Sequence, residues 1–283
     1  MSAMSTLVVR RLLIDLETPF SRHWNGGDAF RSAFFDALSM SFPVGEQFFI
    51  DSVRTGVQAL PEAERERFDA DVRGFIGQEA THRRIHALFN GHLDSQGYVN
   101  AWEVRARQRI AKMATLVNDP RHAVAATAAT EHFTAILAEH LLEFPQVLEG
   151  AEPRLATLWL WHAAEEAEHR SVAFDVYRAL GGSELWRRRW MRIVAFHFTT
   201  DVIRQTVRNL WHDGELLRWR TLKSAASFLF GKAGLVRHTW APWRRYFRED
   251  FHPEQQGGQR GVQWLAEHAD QYRPVGTTLP VAA

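Results

Sequence analysis

The chain has 283 residues, of which 46% are hydrophobic, and a net charge of +1, as expected of a globular protein with a substantial core. It contains no cysteine, so disulfides, thiolate metal sites and cysteine nucleophiles are excluded, and any metal must be bound by imidazole and carboxylate groups. Because it lacks both an apolar stretch of about 18 residues and the apolar core of a signal peptide, we expect a cytoplasmic protein without a spanning helix.

Apolar residues recur at intervals of three and four almost throughout and strand signals are scarce, which predicts an all-α fold. Pro43 and Pro61 are expected to be first-turn prolines, and Asn90-Gly91 is expected to end or bend the second helix. The tail from His252 gives a weaker pattern. The predicted helices span residues 43–60, 61–93, 121–144 and 153–180, with a connecting helix at 98–117, one further helix at 183–213 and one or two within 220–248.

The four long helices predict a ferritin-like four-helix bundle over residues 1–182, with additional C-terminal helices over 183–283 packed on it within one structural domain. The charge is divided in the same way. Residues 1–182 carry 18 Lys and Arg against 24 Asp and Glu, whereas residues 183–283 carry 16 against 9 and hold 7 of the 11 tryptophans.

The basic extension interleaves arginine with tryptophan, as in LWRRRW, LRWRTLK and WAPWRRYFRED. One interpretation is a layer whose arginines pair with acidic residues of the bundle. The other is peripheral contact of residues 183–250 with an anionic membrane surface. No nucleic-acid-binding motif accompanies the charge, so we expect no nucleic-acid partner, and a homo-oligomer remains open.

The motif Glu-x-x-His occurs three times, where about one match is expected by chance in a chain of this composition. Two of the pairs, Glu79/His82 and Glu166/His169, lie within long predicted helices, where residues three apart share a face and can bind one metal. The third, at residues 249–252, lies beside a proline in a region rich in Gln and Gly, and we interpret it as a chance match.

Two lone glutamates, Glu46 and Glu131, lie on the helices that precede the two pairs. Each is followed at a similar distance by its pair, 33 residues to Glu79 and 35 residues to Glu166. The segments QEATHR (78–83) and EEAEHR (165–170) also align, as expected of duplicated helical hairpins. Lone glutamates from two helices and Glu-x-x-His pairs from two others form the ligand set of ferritin-like dinuclear proteins. We therefore predict a centre of two iron ions, with manganese as the alternative.

His162 lies four residues before Glu166 and shares its helix face, so it is predicted as a seventh metal ligand. The alternative for His162 is a buried histidine that only supports the ligands. His86 stands in the same relation to His82, but nothing in the repeat supports it, and it is the weaker candidate.

Four further charged residues lie close to the two pairs. Glu165 and Glu168 fall off the ligand face, so they either orient a ligand or are solvated. Arg83 and Arg170 follow the two pairs and either bond to metal-binding carboxylates or form surface salt bridges.

The segments FPVGEQFFIDSVR, FIGQEATHR and WHAAEEAEHRSVAFDVY resemble those of bacterial proteins described as predicted metal-dependent hydrolases, over about residues 5–250. This resemblance implies a ferritin-like fold and a metal centre. The order Glu, Glu-x-x-His, Glu, His-x-x-x-Glu-x-x-His is similar to that of the di-iron arylamine N-oxygenases, in which the extra histidine corresponds to His162 here. This second resemblance covers the ligand pattern and implies a site architecture, leaving the substrate open.

We predict an O2-activating di-iron oxygenase or oxidase acting on a small organic substrate, with a redox partner and with Glu46 and Glu131 acting beside the metal centre. The alternative is a metal-dependent hydrolase with a two-metal site, and metal storage ranks third. The expected pocket wall is aromatic: Phe48, Phe49, Phe75, Phe133 and Trp161.

Overall fold

The computed structural model describes residues 7–275, and these form an all-α protein, which confirms the predicted fold class. Two short strands within them, β1 (Arg10–Leu12) and β2 (Tyr272–Pro274), pair antiparallel and were not predicted. Short 3-10 turns occupy Pro145–Leu148 and Pro253–Gln255. The helices are α1 (Ala29–Gln58), α2 (Glu62–Ser95), α3 (Ala101–Leu116), α4 (Pro120–Glu143), α5 (Pro153–His169), α6 (Val172–Ala179), α7 (Glu184–His212), α8 (Trp219–Phe230), α9 (Leu235–Arg245) and α10 (Gln259–Glu267).

Helices α1, α2, α5 and α4 contact one another in a ring, α1 with α2, α2 with α5, α5 with α4 and α4 with α1. Helix α3 connects the two hairpins and lies against α1 and α7. The order of contacts is that of two helical hairpins packed side by side. The ferritin-like assignment of this arrangement stays a prediction. Within residues 7–275, no helix is both long and apolar enough to cross a bilayer.

The C-terminal helices pack around this ring. Helix α7 contacts α1 and α4, α8 contacts α1, α9 contacts α4, and α10 contacts α5 and α4. Arginines of residues 183–250 do not pair with the bundle in the described part of the chain: Arg187 and Arg188 pair with Glu184, and Arg220 pairs with Glu215. That predicted pairing is therefore wrong for this segment, while the domain boundary at residue 182 remains a prediction.

Helix α1 begins 14 residues before its predicted start, and Pro43 lies inside it. The side chain of Asp28 caps the helix by accepting from the Arg31 N–H at 3.0 Å. An internal proline has no N–H for the carbonyl four residues earlier, here that of Ser39. Asn90 of α2 supplies the missing donor, Nδ2 to the Ser39 carbonyl at 3.0 Å. Helix α2 is continuous through Asn90-Gly91, so the predicted break at this pair is wrong.

The predicted helix over 153–180 is divided between α5 and α6 at Arg170 and Ser171. At this break the guanidinium of Arg170 donates to the carbonyls of Pro253 at 3.2 Å and Gly257 at 3.1 Å. The turn therefore links the bundle to the C-terminal segment, which no local sequence signal shows.

The bundle interior consists of two apolar clusters with a polar layer between them. The first contains Phe35, Leu38, Phe89 and Trp159, and the second contains Val53, Phe75, Val124 and Val176. Each long helix passes from one cluster to the other. The residues at the crossing points are the ionisable ones that the sequence singles out.

Asn90→Ala is expected to lower the free energy of unfolding by about 1 to 3 kcal/mol, because it leaves the buried Ser39 carbonyl without a donor. Urea unfolding measures the change. The cost should shrink in a Pro43→Ala background, where residue 43 regains its N–H. Asn118→Ala, at an exposed asparagine after α3, is the control and should cost little. An equal cost of Asn90→Ala in both backgrounds would contradict this account of Pro43.

Candidate metal centre

The polar layer brings together all seven residues that the sequence predicts as ligands. They come from four helices, α1, α2, α4 and α5, and each is at most 5% exposed. They are Glu46, Glu79, His82, Glu131, His162, Glu166 and His169.

His169 lies at one end of the layer with three carboxylates around its Nε2 atom. This nitrogen is 3.0 Å from Glu79 Oε1, 3.3 Å from Glu131 Oε2 and 3.6 Å from Glu166 Oε1. Donor atoms of Glu79, Glu166 and His169 all lie within 4.8 Å of one another, close enough to share one metal ion.

His82 and His162 form the other end of the layer. Oε1 of Glu166 lies 3.4 Å from His82 Nδ1 and 3.0 Å from His162 Nε2, and Glu46 Oε1 lies 4.0 Å from His162 Nε2. Glu166 therefore faces all three predicted histidine ligands. Residues of both hairpins contribute to the same potential metal site. His82 lies close to His162 and Glu166 of the other hairpin as well as to Glu46 and Glu79 of its own.

The unpaired carboxylate oxygens test whether a metal fits. Within the described residues, both carboxylate oxygens of Glu46, Glu79 and Glu131 accept no hydrogen bond, although all are buried. An unpaired buried charge costs several kcal/mol, and such a group is normally compensated by a cation or a proton. Two divalent cations would neutralise the four carboxylates of the layer. A donor set of Glu and His without Cys suits manganese, iron or zinc, so the residues present fit a dinuclear centre.

The histidines are oriented by the residues that precede the two glutamates of the pairs. His82 Nε2 bonds to Glu165 Oε2 at 2.9 Å, and His169 Nδ1 bonds to Gln78 Oε1 at 2.9 Å. Each hairpin thus supports the histidine of the other. In the singly protonated rings these bonds place the proton on His82 Nε2 and His169 Nδ1, so that Nδ1 of His82 and Nε2 of His169 would be the nitrogens available to a cation.

Arg10 of β1 balances the charge behind this layer, and no sequence signal pointed to it. Its guanidinium donates to Glu165 at 3.1 Å and to Glu168 at 2.6 Å. Gln78 Nε2 donates to Glu168 at 3.0 Å. The N-terminal segment packs closely on α2 because Gly77 has no side chain. A Cβ at this position would collide with the Val9 side chain.

Arg83 and Arg170, for which bonds to the metal-binding carboxylates were one of two interpretations, do not reach those carboxylates. Arg83 is exposed and contacts Gln47, and Arg170 bonds to backbone carbonyls. The third Glu-x-x-His match does not assemble either: Glu249 is exposed, and His252 bonds to Asp175 at 2.8 Å.

His86 lies in the polar layer, although the sequence analysis made it a weaker ligand candidate than His162. Its Nε2 lies 2.7 Å from His162 Nδ1, and its Nδ1 lies 2.9 Å from Ser39 Oγ. Burial lowers the pKa of His162 to about 4 and that of His86 well below its ordinary value, so both rings are neutral. The chain from Ser39 through His86 holds His162 with Nε2 facing Glu166. Ser39 lies 47 residues before His86 in the sequence, so no local signal predicts this contact.

Without a cation, the layer retains protons. Burial raises the pKa of Glu131 to about 8 and that of Glu46 well above its ordinary value. Burial also opposes charge on His82, but bonds to Glu165 and Glu166 outweigh it and raise the pKa of His82 to about 10. Cation binding must therefore displace protons.

A cavity of about 390 Å³ lies beside the layer, between α1, α3, α4 and α7. Its wall includes Gly45 and Thr130, the residues that precede Glu46 and Glu131. Of the predicted aromatic wall, Phe48 and Phe49 line this cavity and Phe133 lines a neighbouring one. Phe75 and Trp161 instead pack on the imidazoles of His169 and His82, with ring centroids 5.1 and 5.2 Å apart.

The sequence matches a family described as "Predicted metal-dependent hydrolase" over residues 8–257. The chain belongs to this family. No curated protein and no solved structure matches it. The family description agrees with a metal-dependent enzyme and with the buried Glu and His groups. It favours the hydrolase alternative, and the similarity to di-iron arylamine N-oxygenases is not supported by these comparisons.

Glu165→Gln is expected to weaken metal binding by about 10- to 100-fold, because a neutral amide no longer orients and polarises His82. Titration with Mn²⁺ or Zn²⁺, followed by calorimetry, measures the affinity. Glu62→Gln, at an exposed glutamate of α2, is the matched control and should bind as the unaltered protein does. Equal affinities of all three proteins would remove Glu165 from the support of the site.

Metal affinity is expected to rise with pH through about 8 and to keep rising towards about 10, where His82 loses its proton. The carboxyl of Glu131, with its pKa raised to about 8 by burial, is protonated below that pH, so an incoming cation must displace its proton. Calorimetric titrations in buffers of different ionisation enthalpy count the protons released. Affinity independent of pH between 6 and 8, with no proton release, would contradict the protonated layer.

Proposed function

We propose that the protein is a metal-dependent hydrolase with a dinuclear iron or manganese centre. The observation that carries the proposal is a buried layer of four carboxylates, three of which have no hydrogen-bond donor, beside an apolar cavity. The family description supports hydrolysis as the reaction. The proposed ligands are Glu46, Glu79, His82, Glu131, His162, Glu166 and His169.

The two sides of the layer differ: residues that orient the histidines lie on one side, and the 390 Å³ cavity lies on the other. Gln78, Glu165 and Arg10 fix the histidines from the side of α2, α5 and β1. Glu46 and Glu131 come from α1 and α4, which wall the 390 Å³ cavity. A substrate in this cavity would therefore lie next to Gly45 and Thr130, the residues that precede the two lone glutamates.

When bound, two divalent ions would lower the pKa of a water molecule and polarise the bond to be hydrolysed. The residues of the chain supply the rest. Once cations have displaced their protons, the carboxylate of Glu46 or Glu131 could take a proton from the attacking water and return it to the leaving group. The apolar wall of Phe48, Phe49 and Trp190 excludes bulk water from the reacting bond.

The purified protein is expected to hold about two transition-metal ions per chain, and Glu79→Ala or His169→Ala should abolish dinuclear binding. Each variant removes a donor from the Glu79, Glu166 and His169 group. Elemental analysis of protein produced with iron or manganese gives the stoichiometry. Glu249→Ala, which alters the unassembled third pair, should retain both ions. A folded protein that binds no transition metal would refute the metal centre.

Glu46→Gln is expected to lower kcat for hydrolysis by about 10²- to 10⁴-fold, because the amide cannot accept the proton. The measurement uses metal-loaded protein and a series of nitrophenyl esters and phosphoesters. Gln47→Glu, at the neighbouring half-buried position of α1, should leave kcat unchanged. Equal loss in the metal-free protein and in Glu46→Gln, with metal content intact in the latter, would agree with this role. Full activity of Glu46→Gln would exclude it.

An O2-activating oxygenase is the second candidate, favoured by the enclosure of a layer of four Glu and three His between two apolar clusters. Such an enzyme would need an electron donor. Iron-loaded protein is first reduced chemically under anaerobic conditions. O2 is then added, and absorption is followed in the near-ultraviolet and visible range. A hydrolase should show no turnover-linked oxygen uptake. Stoichiometric uptake with new absorption bands would favour the oxygenase.

A further inference from the structure

A second and larger cavity, of about 690 Å³, lies between α4, α7, α8 and α9. This volume is typical of sites for small organic ligands, and its wall is almost entirely apolar. It shares Phe34, Leu137 and Leu235 with a narrow cavity whose wall includes the predicted ligands His162 and Glu166. The two cavities are therefore neighbours, and the narrow one reaches the polar layer.

The mouth of the large cavity is formed by exposed apolar side chains. Six residues of its wall, from three different helices, are 42 to 68% exposed, and we call them the α7–α9 face. They are Ile203 and Val207 of α7, Leu222 and Phe230 of α8, and Val236 and Trp240 of α9. Next to it lie Trp211 at the end of α7, Leu217 in the loop and Trp219 at the start of α8, which are 72, 81 and 78% exposed. Soluble surfaces seldom leave so many large apolar groups together.

Cationic side chains surround the α7–α9 face. Arg204 and Arg208 lie on α7, Lys223 lies on α8 and Arg237 lies on α9. All four are exposed, and within residues 7–275 none of them has a salt bridge to a carboxylate, so their charge is available to an anionic surface. Apolar and tryptophan side chains flanked by arginine and lysine are the composition of a surface that lies in the headgroup region of an anionic membrane.

We propose that the α7–α9 face docks on an anionic lipid bilayer, with the 690 Å³ cavity opening into the lipid phase. Charge complementarity selects the membrane over a second copy of the chain, because two copies would bring the same four cations together. The lipid phase would then supply apolar molecules to the cavity without passage through water. This docking is independent of the reaction at the metal centre.

Co-sedimentation with vesicles tests the proposal on the full metal-free chain. Vesicles of phosphatidylcholine with about one-third phosphatidylglycerol should bind the protein, and vesicles of phosphatidylcholine alone should bind it at least about tenfold more weakly. Phe230→Ser with Trp240→Ser should weaken binding by at least about tenfold, since both side chains are exposed and enter the lipid. The matched control is Leu88→Ser with Val262→Ser, which changes exposed apolar residues of α2 and α10.

Charge reversal separates the electrostatic part of docking from the apolar part. Arg208→Glu with Lys223→Glu should weaken binding to the anionic vesicles by about tenfold or more. Arg65→Glu with Arg84→Glu, at exposed arginines of α2, should change it little. Equal losses in the face variants and in the controls, or no binding to anionic vesicles, would overturn the proposal.

Site-specific labelling locates the contact, because the chain has no cysteine of its own. Ala226→Cys on α8 and Ala70→Cys on α2 place single thiols at exposed helical positions. A polarity-sensitive dye should shift its emission at residue 226 and not at residue 70 when anionic vesicles are added. Sedimentation velocity without vesicles gives the competing outcome. A dimer that Phe230→Ser with Trp240→Ser dissociates, without vesicle binding, would assign the face to a second copy and overturn the proposal.

Discussion

The burial of four carboxylates in one layer of the bundle is the constraint to which the surrounding structure responds. Glu46, Glu79, Glu131 and Glu166 lie between two apolar clusters, where an isolated negative charge is strongly destabilised. The metal-free layer lowers that cost by keeping protons on its acids and histidines. Divalent cations would lower the cost of burying these carboxylates further, because they would also bind the carboxylate oxygens that accept no hydrogen bond within the described residues. The same groups that make the bundle costly without metal therefore make it a strong metal site.

Duplication of a helical hairpin explains both the ligands and their support. Residues at matching positions, Gln78 and Glu165, hold the histidines of opposite hairpins, so neither hairpin forms a complete site alone. The two supporting residues differ in charge, because a neutral amide bonds to His169 and a carboxylate bonds to His82. Arg10 contacts Glu165 and thereby compensates the extra negative charge.

The sequence predicts the features that depend on local periodicity. Helical spacing identified the all-α fold and the seven residues of the layer, because ligands three or four apart share a face wherever the helix lies. It failed where the partner is distant in sequence. Pro43 was read as a helix start because the donor that tolerates it, Asn90, belongs to another helix. Arg10 and His86 were missed or underrated for the same reason, since a remote strand and a serine of α1 give them their roles.

The C-terminal helices decide what can reach the layer. Helix α7 contributes wall residues to both the 390 Å³ and the 690 Å³ cavities, and Phe198, which lines both, stacks on Phe133 of α4 with centroids 5.3 Å apart. The opposite side of the layer is occupied by Gln78, Glu165 and Arg10. The family match also runs across residue 182 to residue 257. The metal ligands and the helices that would select the substrate therefore depend on each other, because a bundle ending at residue 182 would lose one wall of each cavity.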